Sequence, residues 1–166
     1  MASRPEPAAQ EQEPRLRLVR RYPVAPERVW RAWTDPQALS QWFGPGEANS
    51  VTLAELDARE GGRYHIRFQT RDGETHDVSG VYEVVEAHRK LVFSWAWKST
   101  PERVSRVTLL FCAVSGGTEL DFLHERFFDS AARDNHERGW TATFEKLNAV
   151  LAQAVKSMPM ERSTTC

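Results

Sequence analysis

Residues 25–45 read APERVWRAWTDPQALSQWFGP and hold three of the six tryptophans of the chain. Val29, Trp30 and Trp33 stand at positions i, i+1 and i+4, so they share one side of a helix. Pro26 suits the first turn of that helix, because its missing N–H would have no partner there. A short helix with one indole-rich side is therefore expected directly after the first strand.

A second short helix is expected after Asp35. Asp35 can cap its amino end, and Pro36 again suits a first turn. The apolar triplet Leu39, Trp42 and Phe43, at i, i+3 and i+4, predicts one buried face, and the GPG sequence at 44–46 ends the helix. Two short helices that carry three tryptophans must pack against a large apolar surface. They either fill a core or line a pocket.

The pattern from residue 50 onward predicts short antiparallel strands joined by hairpin turns. The clearest strand alternates Tyr64, Ile66 and Phe68 with polar residues, and an ArgAspGly turn at 71–73 closes its hairpin. In the strand near residue 120, Phe122 and His124 face one way and acidic residues the other. The predicted strands are 16–22, 50–56, 63–69, 78–85, 91–97, 103–114 and 118–127.

The carboxyl-terminal part changes to a helical period at Asp129. An apolar stripe spaced by four, three, four and three residues predicts about seven helical turns resting on the sheet. The stripe is Trp140, Phe144, Leu147, Leu151 and Ala154. Strands followed by a long helix indicate an α+β fold, with an antiparallel sheet of about seven strands curved around the final helix.

Composition limits the function further. The 166 residues predict a single domain at 15–156, with disordered tails at 1–14 and 157–166. A formal net charge of −1 offers no basic surface for nucleic acid, and there is no apolar run long enough for a membrane span. The amino terminus is too polar for a signal peptide, so Cys112 and Cys166 are expected as reduced thiols in a cytoplasmic protein.

Several motifs, in this order, resemble the START-like, helix-grip superfamily called SRPBCC. More narrowly, they are similar to the family homologous to the activator of the heat-shock-protein-90 ATPase. The resemblance covers about residues 15–155. Its motifs are APERVW at 25–30, TDP at 34–36, QWFGP at 41–45, GG at 61–62, GVYEV at 80–84, RKLVFSW at 89–95, GGTELDFLH at 116–124 and GW at 139–140, opening the final helix.

The resemblance implies a hydrophobic cavity between the sheet and the long helix. The superfamily uses such a cavity for lipids, polyketides and other apolar molecules, so we expect a small hydrophobic ligand, either aromatic or lipid-like. His124 is the expected polar anchor, although an inward histidine can equally be a core residue bonded to its neighbours. The expected ligand-binding residues are Trp33, Trp42, Phe93, Trp95, Phe122, His124 and Trp140.

The sequence leaves other functions open. The cavity could serve a cyclase or dehydratase of the polyketide kind, with His124 moving protons. The family name suggests a co-chaperone, but only a short Pro/Glu-rich segment precedes the fold, so chaperone contact is not expected. We expect no cofactor, no metal site and no catalytic residue, because the histidines and cysteines show no ligand spacing. A homodimer is left open.

Overall fold

The computed structural model describes residues 14–45 and 50–155, which form three helices and one sheet. The predicted tails lie almost wholly outside the described residues. The elements are β1 Leu16–Tyr22, α1 Pro26–Thr34, α2 Pro36–Ser40, β2 Val51–Leu56, β3 Arg63–Gln69, β4 Thr75–Glu86, β5 Lys90–Trp97, β6 Ser105–Val114, β7 Gly117–Glu125 and α3 Ser130–Val155.

The seven strands form one antiparallel sheet in the order β1-β7-β6-β5-β4-β3-β2. Strands β2 to β7 follow one another as hairpins, and β1 returns to pair with β7, from Leu16 opposite His124 to Tyr22 opposite Thr118. The long helix α3 then covers the concave face. The predicted α+β helix-grip fold is confirmed.

Local signals account for the two short helices. Pro26 and Pro36 occupy their first turns, and the Asp35 carboxylate accepts a hydrogen bond from the Ala38 N–H at 3.1 Å, as predicted. One detail was wrong, because α2 ends at Ser40, before Trp42 and Phe43. Both residues are nevertheless buried, since their backbone N–H groups bond to the Leu39 carbonyl and continue the turn.

The predicted apolar stripe holds α3 on the sheet. Its first four members, from Trp140 to Leu151, are all at most 4% exposed, and the side chain of Ala154 lies outside the described part. The helix begins at Ser130, so Gly139 and Trp140 lie within it instead of opening it. This position carries both residues to the middle of the concave face.

Two further expectations concern the environment of the chain. Cys112 is disulfide-bonded, so the expectation of a reduced thiol was wrong. None of the helices in the described residues combines the length and the apolar character that crossing a bilayer requires.

One set of aromatic side chains fills the space beneath α1, α2 and the middle of α3. We call Trp33, Trp42, Phe122 and Phe144 the packed core. The ring centroids of Trp33 and Trp42 lie 4.7 Å apart, and those of Phe122 and Phe144 lie 5.2 Å apart in an edge-to-face contact. Trp33 joins the two pairs, with its ring 6.3 Å from Phe122. These distances are typical of close aromatic packing.

Candidate functional site

A cavity of about 920 Å³ lies beside the packed core. The first half of α3, the strands β3, β4 and β5, and the chain segment after α2 form its walls. Ligand pockets in proteins commonly have volumes of roughly 300–1,000 Å³ and mostly apolar walls. We call this space the cleft.

Aromatic rings form most of the cleft wall. Trp95 and Trp97 come from β5, Phe68 from β3, Phe43 from the segment after α2 and Trp140 from α3. The Trp95 ring lies 5.1 Å from Trp140 and 5.3 Å from Trp97, and it meets Trp97 edge-on. Each ring is therefore braced by another, so that the wall keeps its shape without a ligand.

Strand alternation places the sheet residues of this wall. Phe68 lies on the same face of β3 as the buried Tyr64 and Ile66, and Trp97 lies on the same face of β5 as Trp95. His76 pairs with Phe68 across the β3–β4 ladder, and its ring stacks on Phe68 at 5.3 Å. The concave face of the sheet therefore ends in a run of aromatic rings at the cleft.

The helical period places the opposite wall. His136, Gly139, Trp140 and Thr143 stand at i, i+3, i+4 and i+7 of α3 and all line the cleft. Gly139 matters because it has no side chain. A Cβ atom at this position would meet no other atom within 4 Å, so the helix leaves open volume there.

His136 is a polar group of the cleft wall with both ring nitrogens engaged. Its Nε2 accepts a hydrogen bond from the Trp97 indole N–H at 2.9 Å, and its Nδ1–H donates to the Ala132 carbonyl at 2.7 Å. These partners select the neutral ring with the proton on Nδ1. Burial lowers the pKa of His136, and the Ala132 carbonyl only partly opposes this.

His124 lies behind the wall and is fully buried. Its Nδ1 accepts from the Trp140 indole N–H at 3.1 Å, and its Nε2–H donates to the Ser105 hydroxyl at 2.8 Å. That hydroxyl in turn donates to the Trp95 carbonyl at 3.3 Å. Burial, helped by nearby His136, holds the pKa of His124 well below its usual value. His124 therefore supports Trp95 and Trp140 from behind as a neutral ring.

Comparisons with known proteins agree with this geometry. The family model described as activator of Hsp90 ATPase homolog 1-like protein matches residues 23–152. The chain belongs to this family. The predicted resemblance is confirmed, and with it a fold that binds ligands in other proteins.

Solved structures extend the match over most of the chain. The AHSA1 protein from Silicibacter pomeroyi is 30% identical, with 84% of this chain and 99% of that chain covered and a TM-score of 0.74. Protein CV1439 from Chromobacterium violaceum is 27% identical, with 82% and 96% covered and a TM-score of 0.74. Protein SA2116 from Staphylococcus aureus, titled a protein of unknown function, is 25% identical, with 89% and 99% covered and a TM-score of 0.71. A search of curated proteins returned no match.

The seven expected ligand-binding residues are all buried, but they fall into three groups. Six of them belong to one hydrophobic cluster, and the seventh, His124, contacts the Trp95 ring of that cluster. Trp95 and Trp140 line the cleft. Trp33 and Phe93, together with Trp95, line a separate void of about 10 Å³, which has room for no more than about one water molecule. The residues that line neither space are Trp42, Phe122 and His124.

The site also contains residues that sequence reasoning did not select. Phe68 and Trp97 share the inward faces of their strands with predicted core residues, so alternation alone could have included them. His136 lies one helical turn before Trp140, which is the signal that could have revealed it. Among the described residues, no group of three or more histidine, cysteine, aspartate or glutamate side chains is placed to hold a metal ion.

Proposed function

We propose that this protein binds a small apolar molecule, aromatic or lipid-like, in the cleft. The observation that carries the proposal is a cavity of about 920 Å³ whose walls are built by Phe43, Phe68, Trp95, Trp97 and Trp140. The walls are preformed, because these rings are braced against one another and against His124. A preformed apolar pocket avoids the cost of ordering side chains when the ligand enters.

The polar groups of the wall favour binding over proton-transfer chemistry. Both nitrogens of His136 are bonded within the protein, and the same holds for His124 behind it. Burial lowers the pKa of each ring, which disfavours the charged form. The Thr143 hydroxyl donates to the Gly139 carbonyl of its own helix. These groups fix the shape of the wall and leave recognition to apolar contact.

The expected affinity is modest for a generic apolar probe. N-Phenyl-1-naphthylamine has about seventeen non-hydrogen atoms, and at about 0.3 kcal/mol per atom it would gain about 5 kcal/mol. This corresponds to a Kd on the order of 100 µM. The physiological ligand, which fits the cleft better, is expected to bind more tightly.

Gly139 allows a direct test, because its position is open and faces the cleft. We expect the fluorescence of N-phenyl-1-naphthylamine to rise on addition of the wild-type protein, and the rise to be lost with Gly139→Phe. Gly139→Ala is the matched control. It also replaces the glycine but adds only one carbon, so it should keep most of the binding.

The stability of both variants separates blocked binding from misfolding. Replacing glycine within a helix should leave the melting temperature unchanged or higher. Full probe binding by a folded Gly139→Phe variant would show that the cleft is not the binding site. If neither this probe nor a panel of hydrophobic ligands binds to the wild-type protein, the proposed function is contradicted.

A further inference from the structure

His76 is a polar side chain on the cleft-facing side of the sheet. It stands two residues before the fully buried Val78 on β4 and directly opposite Phe68 on β3, so alternation turns it inward. Its ring stacks on Phe68 with the centroids 5.3 Å apart, and it meets the ring of Trp97 at 6.1 Å and 70°. His76 therefore places an imidazole among the aromatic rings of the cleft wall.

The Nε2 atom of this ring is engaged within the protein. Thr70 Oγ1 lies 3.3 Å from it. The Thr70 hydroxyl has a single proton, which it donates to Asp72 Oδ1 at 2.6 Å, so its oxygen accepts a hydrogen bond from the ring. A carboxylate oxygen of Glu74, 3.8 Å from the same ring nitrogen, also favours a proton there. The neutral ring of His76 therefore carries its proton on Nε2.

The Nδ1 atom of His76 keeps its lone pair for a ligand. Since Nε2 carries the proton, Nδ1 of the neutral ring is a hydrogen-bond acceptor. Within residues 14–45 and 50–155, no donor is bonded to it. The side chain is 35% exposed, so a molecule in the cleft has access to the ring. His136 on the opposite wall differs, because both of its ring nitrogens are bonded inside the protein.

An acceptor among aromatic rings selects a ligand that has a hydrogen-bond donor. We propose that the ligand carries a hydroxyl group, phenolic or alcoholic, which donates to His76 Nδ1 while the apolar body lies between the aromatic walls. A hydrocarbon, an ether or an ionised carboxylate has no proton to give to this nitrogen. This inference rests on the proposed function and names the class of ligand for the same site.

Asn135 offers the alternative polar contact at the cleft. Its Oδ1 accepts from Arg138 Nη2, which leaves its amide N–H groups for a ligand acceptor such as an ether or a ketone. Asn135 is exposed, however, whereas His76 is half-buried and stacked on Phe68. Water competes more strongly for the exposed amide, so the better-shielded acceptor of His76 favours the hydroxyl-bearing ligand.

Two ligands of nearly the same size test the need for a hydroxyl group. 4-Butylphenol has a donor, and 4-butylanisole, its methyl ether, has none. Each would displace bound N-phenyl-1-naphthylamine at pH 8, where a histidine ring is neutral. We expect the preference for the phenol over the anisole to fall about fivefold in His76→Phe, which loses one neutral hydrogen bond but keeps a ring to stack on Phe68. Comparing this ratio between proteins cancels the different hydrophobicity of the two ligands.

Asn135→Leu is the control variant, since it removes the other polar side chain from the cleft and should keep the wild-type ratio. A second measurement uses the wild-type protein and does not depend on how the variants fold. In ¹⁵N NMR spectra, the Nδ1 signal of His76 should be that of an unprotonated nitrogen. It should move upfield with 4-butylphenol and stay in place with 4-butylanisole.

Three results would overturn the inference. They are an unchanged ratio in a folded His76→Phe variant, a loss of the preference in Asn135→Leu alone, and an Nδ1 signal that does not respond to the phenol. Each of them leaves the proposed function standing, because the probe and both ligands still bind in the cleft. Failure of N-phenyl-1-naphthylamine itself to bind would instead contradict that function.

Discussion

Trp42 in the packed core and Trp97 in the cleft wall show how one residue type serves two purposes. Trp42 is fully buried, its ring lies 4.7 Å from Trp33, and its indole N–H donates to the Ala32 carbonyl at 3.0 Å. Trp97 is only half-buried and donates its N–H to His136. The first indole holds helices together, while the second forms a surface that a ligand can touch.

Helix α3 creates this difference through the size of its side chains. Trp140, Phe144 and Leu147 fill the space toward the packed core, with the Phe144 ring 5.2 Å from Phe122. Gly139 and Thr143 line the cleft and leave it open. The cavity therefore stays open because Gly139 and Thr143 are small, whereas the residues of α3 on the side of the packed core are large.

Truncation in the packed core should give the largest effect. Phe122→Ala removes a fully buried ring that contacts Trp33, Trp140 and Phe144. We expect a loss of about 4 kcal/mol in the free energy of unfolding, because the neighbouring rings cannot collapse into the gap. Urea denaturation measures this loss. A loss below about 1 kcal/mol would show that the core is not packed as described.

Much of this fold could be predicted because its signals are local. The Asp35 cap, the alternation in β3 and the stripe on α3 each depend on residues near one another in the chain. The cleft could not be predicted in the same way, because its volume depends on how far α3 stands from β3–β5. Phe122 and Trp97 both alternate inward, and only the position of the helix decides which ring is covered.

A pH titration should reveal His124, which is fully buried, and His136, which is half-buried. In the folded protein, burial lowers the pKa of His124 and of His136 and so holds both rings neutral. In the unfolded chain the pKa of a histidine is about 6.5. The unfolded state therefore binds more protons as the pH falls below 6.5, and stability declines by up to about 1.4 kcal/mol per pH unit for each histidine. The decline continues until the lower pKa of the folded state is reached.

The control for the titration is His124→Gln, which removes one of the two groups. Its unfolding free energy should depend on pH about half as steeply between pH 6.5 and 5, measured by urea denaturation at several pH values. The same slope in the variant and the wild type would contradict a neutral, buried His124.

Substitution in the cleft wall should affect binding more than folding. Trp97→Leu removes a half-buried ring and its bond to His136, so we expect about tenfold weaker binding of N-phenyl-1-naphthylamine. The free energy of unfolding should fall by no more than about 1.5 kcal/mol, since the site is partly open. Titration calorimetry and urea denaturation give the two values. A loss in the free energy of unfolding as large as that of Phe122→Ala would contradict the distinction between cleft and packed core.

The smallest expected effect is a gain. Gly139→Ala adds a methyl group in open space within α3, so the free energy of unfolding should rise by about 0.5–1 kcal/mol through helix propensity alone. Thermal denaturation detects a change of this size. A decrease would mean that the position is crowded, which the geometry of the cleft does not allow.

The most direct test is a crystal structure of the protein soaked with 1-bromonaphthalene, with the bromine located by its anomalous scattering. We predict one dominant bromine peak in the cleft, between Trp97 and Trp140 and opposite Gly139. A peak among Trp33, Trp42 and Phe122, or peaks confined to the outer surface, would contradict it.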